Sequence, residues 1–268
     1  MAISELKKVA IFSAGCILVR PKSKKRMRIA FFSDVHSNLE ALQAVLDDAK
    51  EYKVEKFHFL GDAVGYGPDP NECVKIVLDL SEICLYGNHD YAALGLMDIS
   101  YFNPYAAEAI RWTQRNLSTE SKELFKDFKM TAKVDDIFLV HGTPDNPEAW
   151  DYLLDLADAE YNFAAFEEKV CLVGHSHVPV VFKKKGEERA LLSREVEVFL
   201  EDDWRYIINI GSVGQPRDRD PRASYLIYDQ PEKHLFLRRV EYDFTVTQKK
   251  MAELGLPRYL SERLAVGR

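Results

Sequence analysis

Five short apolar runs, each followed at once by a turn and by histidine, aspartate or asparagine, most constrain how this chain can fold. The five segments read RIAFFSDVH, KFHFLGD, ICLYGNHD, IFLVHG and VCLVGHSH. Short apolar runs bounded by turn signals are typical of buried strands. In open α/β sheets, functional groups collect beyond the carboxyl ends of the strands. The pattern therefore predicts that polar side chains from five strand ends lie together at one edge.

The remaining pattern predicts an α/β fold in which two β-sheets pack face to face with helices outside. Strands at residues 28–33, 56–60 and 83–86 alternate with helices at 38–52 and 71–80, an order that favours a parallel sheet. Further on, the sequence predicts a helix at 103–128, a hairpin at 130–134 and 137–140, a strand at 170–173, antiparallel strands at 180–184, 196–200, 206–210, 224–228 and 235–240, and closing helices at 244–254 and 258–264.

Charge and cysteine content narrow the class of protein. The 36 lysines and arginines against 43 aspartates and glutamates give a formal charge of −7, which argues against long nucleic acid as a partner. The basic run at residues 21–28 is interpreted as a solvated tail. The four cysteines lack C-x-x-C spacing, which fits a reducing compartment. The apolar stretch at 9–19 is about half the ~20 residues that a membrane span needs. We therefore expect a cytoplasmic protein with no membrane partner.

The polar residues at the strand ends have the chemistry of metal ligands. A single histidine after a strand is more often structural, but a fold gains nothing from gathering several imidazoles around two carboxylates unless a cation unites them. Imidazole, carboxylate and amide together suit Mn²⁺, Fe or Zn²⁺ better than Ca²⁺ or Mg²⁺. No cysteine is among the polar residues that follow the strands, which disfavours a structural zinc site.

The order of these motifs resembles the calcineurin-like metallophosphoesterases. The motifs are D-x-H (Asp34, His36), GD (Asp62), GNHD (Asn88, His89, Asp90), VHG (His141) and GHSH (His175, His177). The resemblance implies the family's two-sheet β-sandwich flanked by helices, in four αββα layers, from Met27 to the end. Residues 61–72 and 211–229 further resemble the small bacterial and archaeal branch that includes the YfcE-like phosphodiesterases.

The resemblance also implies a set of ligands for two divalent ions. One ion would be held by Asp34, His36, Asp62 and His177. The other would be held by Asp62, Asn88, His141 and His175, with Asp62 bridging through both carboxylate oxygens. Mn²⁺ is favoured, with Fe, Zn or Ni as alternatives. Two ions ~3.5–4 Å apart can share a hydroxide nucleophile and clamp the phosphoryl oxygens of an in-line displacement.

His89 and Asp90 are implied to act on the leaving group. In the family, the histidine that follows the ligand asparagine is not itself a ligand and faces the leaving-group oxygen. Asp90 would orient this imidazole and raise its pKa. The alternative role for Asp90 is a helix N-cap, and the two roles can coexist.

Arginines in the segment GSVGQPRDRDPR, residues 211–222, are candidates for substrate binding. The segment is rich in turn formers and is predicted to be a loop. One interpretation pairs Arg217, Arg219 and Arg222 with the aspartates between them on the surface. The other has at least one of them, with Arg217 and Arg222 ahead of Arg219, binding a substrate phosphate bidentately. Tyr66, in the loop after Asp62, is a further candidate contact, whereas His58 is interpreted as structural.

These features predict two-metal hydrolysis of a phosphate ester, with a small phosphodiester or nucleotide as the favoured substrate. A dinucleoside polyphosphate hydrolase is an alternative. A Ser/Thr protein phosphatase is disfavoured, because its two phosphate-binding arginines are replaced by Tyr86 and by residues 63–66. A non-catalytic scaffold is disfavoured because every ligand is intact, and an amidohydrolase barrel would carry H-x-H on its first strand. The natural substrate and the oligomeric state stay open at this point.

Residues 1–26 are predicted to be an N-terminal extension outside a working domain of residues 27–268, because the resemblance begins at MRIAFFSDVH. The alternative is that residues 9–19 add an accessory element. A chain that begins at Met27 is expected to melt at the same temperature as the full chain and to hydrolyse substrate equally well. Thermal unfolding and kcat/KM of both chains check this, and a large fall in Tm on truncation would contradict it.

Overall fold

The structure is a computed structural model that describes residues 27–268. The predicted extension at residues 1–26 lies outside the described residues. The strands of this part are β1 (Arg28–Phe32), β2 (Lys56–Phe59), β3 (Ile83–Cys84), β4 (Thr131–Val134), β5 (Ile137–Val140), β6 (Val170–Val173), β7 (Val180–Lys185), β8 (Leu191–Ser193), β9 (Glu197–Phe199), β10 (Trp204–Asn209), β11 (Ala223–Asp229) and β12 (His234–Val240). The helices are α1 (Leu39–Glu51), α2 (Pro70–Leu80), α3 (Asn88–Ala93), α4 (Pro104–Asn116), α5 (Thr119–Leu124), α6 (Leu156–Asn162), α7 (Phe244–Glu253) and α8 (Arg258–Glu262).

The strands form two six-stranded mixed sheets. The first sheet has the order β3-β2-β1-β11-β12-β9, and the second has the order β4-β5-β6-β10-β7-β8. Within the first, β1, β2 and β3 are parallel, as the alternation of strands and helices predicts. Within the second, β5, β6 and β10 are parallel. Each sheet therefore has three adjacent parallel strands whose carboxyl ends point the same way.

The register brings the ends of these parallel strands level. Phe32 at the end of β1 pairs with Phe59 at the end of β2, and Phe59 pairs with Cys84 at the end of β3. In the second sheet, Leu139 of β5 pairs with Leu172 of β6. The residues that follow these strands are the histidines, aspartates and asparagine of the predicted site. Parallel pairing in register thus places them at a common edge.

Apolar side chains fill three layers between the sheets and helices. Ile29 and Phe31 of β1 point into the space between the sheets, where Leu172 and Ile208 of the second sheet meet them. The alternate residues of β1 pack against α1 and α2. The outer face of the second sheet packs against α6. Because both faces of the central strands are covered, their sequences are almost entirely apolar. The four-layer αββα sandwich is confirmed.

Several predicted elements differ from the structure. The predicted helix at 103–128 is divided into two helices, α4 and α5. Ser118 lies between them and caps α5 by accepting a hydrogen bond from the Ser121 amide. The strand predicted at 206–210 is not wholly antiparallel, since β10 pairs in parallel with β6 and antiparallel with β7. The helices α3 and α6 and the strand β8 were not predicted, and all three are short. None of the helices in the described range is long and apolar enough to cross a membrane.

His58 of β2 is a buried histidine without polar partners in the described part of the chain. Its side chain lies between the sheets, 5.3 Å from the Phe31 ring, and neither ring nitrogen has a hydrogen-bond partner there. Burial lowers the pKa of His58 from its ordinary value of 6.5, and the nearby Glu82 opposes this only in part. The folded protein therefore favours the neutral imidazole, which agrees with a structural role.

We predict that His58→Phe raises stability and flattens its pH dependence. Above pH 6.5 His58 is neutral in both states. Below it the unfolded chain gains a proton that the folded chain resists, so the free energy of unfolding falls by up to about 1.4 kcal/mol per pH unit. His58→Phe removes this slope and two unpaired nitrogens, a gain of about 1 kcal/mol at neutral pH. Urea unfolding across the acid range measures both effects, with His234→Phe, at a partly exposed histidine of β12, as the control. An equal slope in His58→Phe and wild type would contradict the prediction.

Candidate active site

The loops after the parallel strands have an unusual backbone. Left-handed conformations, with positive φ, are uncommon for residues other than glycine and cluster at functional sites. Five of the seven predicted ligands adopt them: Asp34 (55°), His36 (49°), Asp62 (61°), His175 (64°) and His177 (61°). Hydrogen bonds between loops hold this backbone, including Asp34 N to Gly61 O at 2.9 Å and His36 N to Asp62 O at 3.0 Å.

Asp34, His36 and His177 form the first group of candidate ligands. The Nε2 atoms of His36 and His177 lie 3.0 Å apart. Oδ1 of Asp34 is 3.1 Å from His177 Nε2 and 3.7 Å from His36 Nε2. All three side chains are buried and present their donor atoms within 4.8 Å of one another. One ion could contact all three.

Backbone carbonyls fix the tautomers of these two imidazoles. His36 Nδ1 lies 3.1 Å from the Val64 carbonyl, and His177 Nδ1 lies 2.6 Å from the Gln215 carbonyl. Each Nδ1 must carry the proton to donate to its carbonyl, which leaves a lone pair on each Nε2. Two lone pairs that face each other at 3.0 Å repel. A cation between the two nitrogens would accept both lone pairs and so remove the repulsion.

Asp62, His141 and His175 form the second group. Oδ2 of Asp62 lies 3.4 Å from His141 Nε2 and 3.6 Å from His36 Nε2, so this carboxylate belongs to both groups. His141 Nδ1 lies 2.8 Å from the Leu60 carbonyl, which leaves Nε2 as the ligand atom. His175 is reversed, because its Nε2 lies 2.8 Å from the Trp150 carbonyl and its Nδ1 remains for an ion.

Each aspartate uses one oxygen for the backbone and has the other free. Asp34 Oδ2 accepts the His175 amide at 3.1 Å, and Asp62 Oδ1 accepts the His89 amide at 2.8 Å. Asp62 Oδ1 therefore holds the loop of His89, and Oδ2 faces His36 and His141. That Asp62 is shared by two ions stays a prediction.

The strongest sign of a metal site is a set of buried atoms without hydrogen bonds. Within residues 27–268, Asp34 Oδ1, Asp62 Oδ2, Asn88 Oδ1 and His141 Nε2 have no such partner. Buried polar atoms are nearly always paired, so each exception needs a reason. All four of these atoms are good metal ligands. The donor set of carboxylate, imidazole and amide fits divalent ions such as Mn²⁺, Fe²⁺ or Zn²⁺.

Electrostatics within the cluster keep Asp34 and His175, but not His141, in their metal-binding forms. Burial would raise the pKa of Asp34, but the imidazoles of His177 and His141 outweigh it and hold that pKa below its usual range. Burial lowers the pKa of His175 to about 3, with His141 adding to the effect. His141 differs, because Asp62 and Asp34 overcome burial and raise its pKa to about 9. In the polypeptide alone, His141 would carry the proton that an ion displaces.

His89 lies beside this cluster, in contact with aromatic rings. Its ring centroid is 4.8 Å from His36, 4.4 Å from Tyr66 and 5.2 Å from Phe102. Nδ1 is buried without a partner in the described chain and faces Gly65, where an added Cβ would lie 2.5 Å from it. Nε2 is therefore the ring nitrogen left for a substrate. Burial lowers the pKa of His89 to about 4, although Asp62 opposes the shift.

Asp90 does not contact His89 as expected. Its Oδ2 accepts the amides of Asp62 and Gly87 at 2.8 and 3.0 Å, and its Oδ1 accepts the Val64 amide at 3.2 Å. Asp90 is the third residue of α3, whose N-cap is Gly87. The expectation that it orients His89 and raises the pKa of that imidazole is wrong, and the N-cap alternative is close to the observed role. Asp90 instead fixes the loop that carries Asp62.

The predicted arginines have separate environments. Arg217 Nη2 lies 2.9 Å from Gln215 Oε1 and 3.3 Å from the Tyr66 hydroxyl, so both predicted contacts lie beside the cluster. The Arg222 side chain is 45% exposed and forms an ion pair with Asp220 at 2.7 Å. Arg219 is also exposed. The prediction that Arg222 faces the site is therefore wrong, because an aspartate two residues away captures its guanidinium.

A cleft with a volume of about 340 Å³ opens beside the cluster. Asn88, His89 and His175 line it together with the aromatic residues Tyr66, Tyr101, Phe102, Trp150 and Tyr152. Sequence reasoning did not find Trp150 or Tyr152, which lie in an irregular segment between β5 and α6. The segment shows no periodicity, and the only available signal was two aromatic residues in a predicted loop.

Known proteins resemble this chain in both sequence and fold. The calcineurin-like phosphoesterase superfamily domain matches residues 27–233. An uncharacterized protein of Methanocaldococcus jannaschii is 42% identical over 245 residues, which is 90% of this chain and 98% of that protein. The crystal structure of a metallophosphoesterase from Sphaerobacter thermophilus has a TM-score of 0.79 at 41% identity, covering 90% of this chain and 99% of the other. A hypothetical protein from Pyrococcus horikoshii, 20% identical over the same shares of the two chains, has the same fold, with a TM-score of 0.72.

The two relatives at 41% and 42% identity are bacterial and archaeal, in agreement with the small prokaryotic branch that the motifs resemble. The cluster of buried aspartates and histidines lies within the matched region. Because the domain match covers most of the chain and both relatives match over nearly their whole length, this chain belongs to the calcineurin-like phosphoesterase superfamily.

Proposed function

We propose that this protein hydrolyses a small phosphodiester or nucleotide at a centre of two divalent ions, with Mn²⁺ favoured and Fe, Zn or Ni as alternatives. The observation that carries the proposal is a cluster of buried ligand atoms without hydrogen-bond partners around Asp34 and Asp62. Asp34, His36, Asp62 and His177 would hold one ion. Asp62, Asn88, His141 and His175 would hold the other. Bound there, the ions would activate water and neutralise charge on the phosphoryl oxygens.

The polypeptide itself supplies groups for binding and for proton control. His89 lines the cleft and would donate a hydrogen bond from Nε2 to the leaving-group oxygen. Arg217, beside the Tyr66 hydroxyl, would hold a non-bridging phosphate oxygen through its guanidinium. Asp90 positions the Asp62 loop through three backbone amides. These groups give the phosphate a fixed orientation between the cluster and the cleft.

The dimensions and charge of the cleft favour a small substrate. A volume of about 340 Å³ is typical of small-molecule sites. No lysine or arginine lies among the described residues that line it, so it is poorly suited to a polyphosphate chain or to a phosphoprotein. The formal charge of −7 disfavours long nucleic acid. We therefore expect the partner to be a small phosphorylated molecule. The three cysteines within residues 27–268, Cys73, Cys84 and Cys171, are buried and unpaired, which supports a cytoplasmic setting.

Metal removal and ligand substitution separate the roles of Asn88 and His89. Chelated protein is expected to lose hydrolysis and to regain it best with Mn²⁺. Asn88→Ala should lower the metal content toward one ion per chain, because a ligand of one ion is lost. His89→Ala should retain both ions and lose about 10²–10⁴-fold in kcat, the contribution of a positioned acid or base. Metal analysis and kcat on a panel of phosphomonoesters, phosphodiesters and nucleotides check these outcomes. Metal-free His89→Ala, or fully active Asn88→Ala, would show that the roles are misassigned.

Arg217→Ala is expected to lower kcat/KM by about 10- to 100-fold, the value of a charge-assisted hydrogen bond to phosphate. A model diester and a nucleotide should be affected about equally, and the metal content should not change. Arg222→Ala is the matched control, because it removes an arginine of the same loop that pairs with Asp220 and should stay within about twofold of wild type. Equal losses of kcat/KM in the two variants would contradict a specific role of Arg217 in binding phosphate.

A further inference from the structure

The aromatic walls of the cleft point to the kind of group that accompanies the phosphate. Tyr101 and Phe102 precede α4 and line one part of the cleft, while Trp150 and Tyr152 line another, next to His175. Phe102 packs against the His89 ring at 5.2 Å. The Tyr101 side chain is 91% exposed. A water-exposed surface of several aromatic side chains needs an explanation in a soluble protein.

The Tyr152 ring is positioned as a platform on which a planar group can stack. Its ring stacks on the His175 imidazole at 4.1 Å and 17°, yet 48% of the residue is exposed. One face is therefore covered by a candidate metal ligand, and the ring remains accessible to a second planar group. Planar rings stack well on such a face because every heteroaromatic ring has a π-surface.

Trp150 fixes this platform relative to the metal ligands. Its carbonyl accepts the hydrogen bond of His175 Nε2 at 2.8 Å, and its backbone φ is 57°. Its ring packs edge-on against His141 at 6.1 Å and Tyr91 at 5.3 Å. The segment that carries both aromatic residues is thus bound to two candidate ligands. A ring held by it would lie at a defined distance from the phosphate, as binding before catalysis requires.

We infer that the cleft binds an uncharged planar ring of the substrate, a nucleobase, stacked on Tyr152 beside Trp150. This inference rests on the proposed function and narrows its substrate class to nucleotide esters. The lack of lysine and arginine among the described residues of the cleft excludes an anionic group from this position. Arg217 contacts Tyr66 beside the cluster and would bind the phosphate, so phosphate and base would have separate subsites.

The test compares two esters that differ only in the base. Adenosine 5′-(methyl phosphate) and ribose 5-(methyl phosphate) carry the same phosphodiester and the same leaving groups, so intrinsic reactivity cancels. With the Mn²⁺-loaded full chain, kcat/KM should favour the adenosine ester by about tenfold, the typical effect of one stacked base. Calorimetry should also detect binding of adenosine alone and no binding of ribose.

Substitutions locate the effect. In Tyr152→Ala the ratio of the two kcat/KM values should fall toward one. Tyr152→Phe retains the ring and should keep the ratio. Tyr161→Ala, a tyrosine on α6 that is 67% exposed and lies outside the cleft, is the matched control and should also keep it. The ratio is insensitive to a general loss of metal or fold, since both esters would suffer equally.

The outcomes distinguish this inference from the function beneath it. Hydrolysis of both esters at equal kcat/KM, with no binding of adenosine, would overturn the stacking site and leave phosphoesterase activity standing. A base preference that survives Tyr152→Ala would overturn the assignment to this platform. If neither ester is hydrolysed, the proposed function fails for nucleotide diesters, and adenosine binding in wild type but not in Tyr152→Ala decides the base site alone.

Discussion

The structure depends on two buried carboxylates that each share their oxygens between backbone and cluster. Asp34 and Asp62 are almost completely inaccessible to water, and burying an ionised carboxylate is costly unless it is paired. One oxygen of each accepts a backbone amide. The other points at an imidazole Nε2 atom, that of His177 for Asp34 and that of His141 for Asp62. A cation is the partner that satisfies all of these atoms together. The polar interior is therefore best explained as a candidate metal-binding unit.

The same bonds also join the two sheets. Asp34 follows β1 of the first sheet, and its Oδ2 accepts the amide of His175, which follows β6 of the second. Close packing at this junction leaves no room for side chains at certain turns. An added Cβ at Gly87 would lie 2.0 Å from Asp62 Oδ1, so glycine is required there by contact rather than by φ. The turn glycines of the motifs allow the strand ends to meet this closely.

Most of the fold and the ligand set could be predicted because both depend on local patterns. Apolar runs mark the strands, and the parallel alternation implies that their ends share an edge, so sequence and motif resemblance identified the candidate ligands that the fold brings together. The residues of uncertain role depend on tertiary contacts instead. Arg217 meets Tyr66, which is distant in sequence, whereas Arg222 is held by Asp220 nearby. Asp90 bonds to three amides that only the folded loops bring together. No periodicity encodes these choices.

The loops that define the cleft also orient candidate metal ligands, so the proposed binding of substrate and of metal would be physically linked. The Trp150 carbonyl fixes the His175 tautomer, and the Gln215 carbonyl fixes that of His177. The Arg217 amide in turn bonds to the His177 carbonyl at 3.2 Å. Partners of this kind set the orientation and basicity of an imidazole ligand. A change in these loops that moves an aromatic wall or the arginine also moves a carbonyl that directs a ligand. Loops usually vary more freely than the strands they connect, but here their backbone is part of the site, and only their side chains are free to alter the substrate.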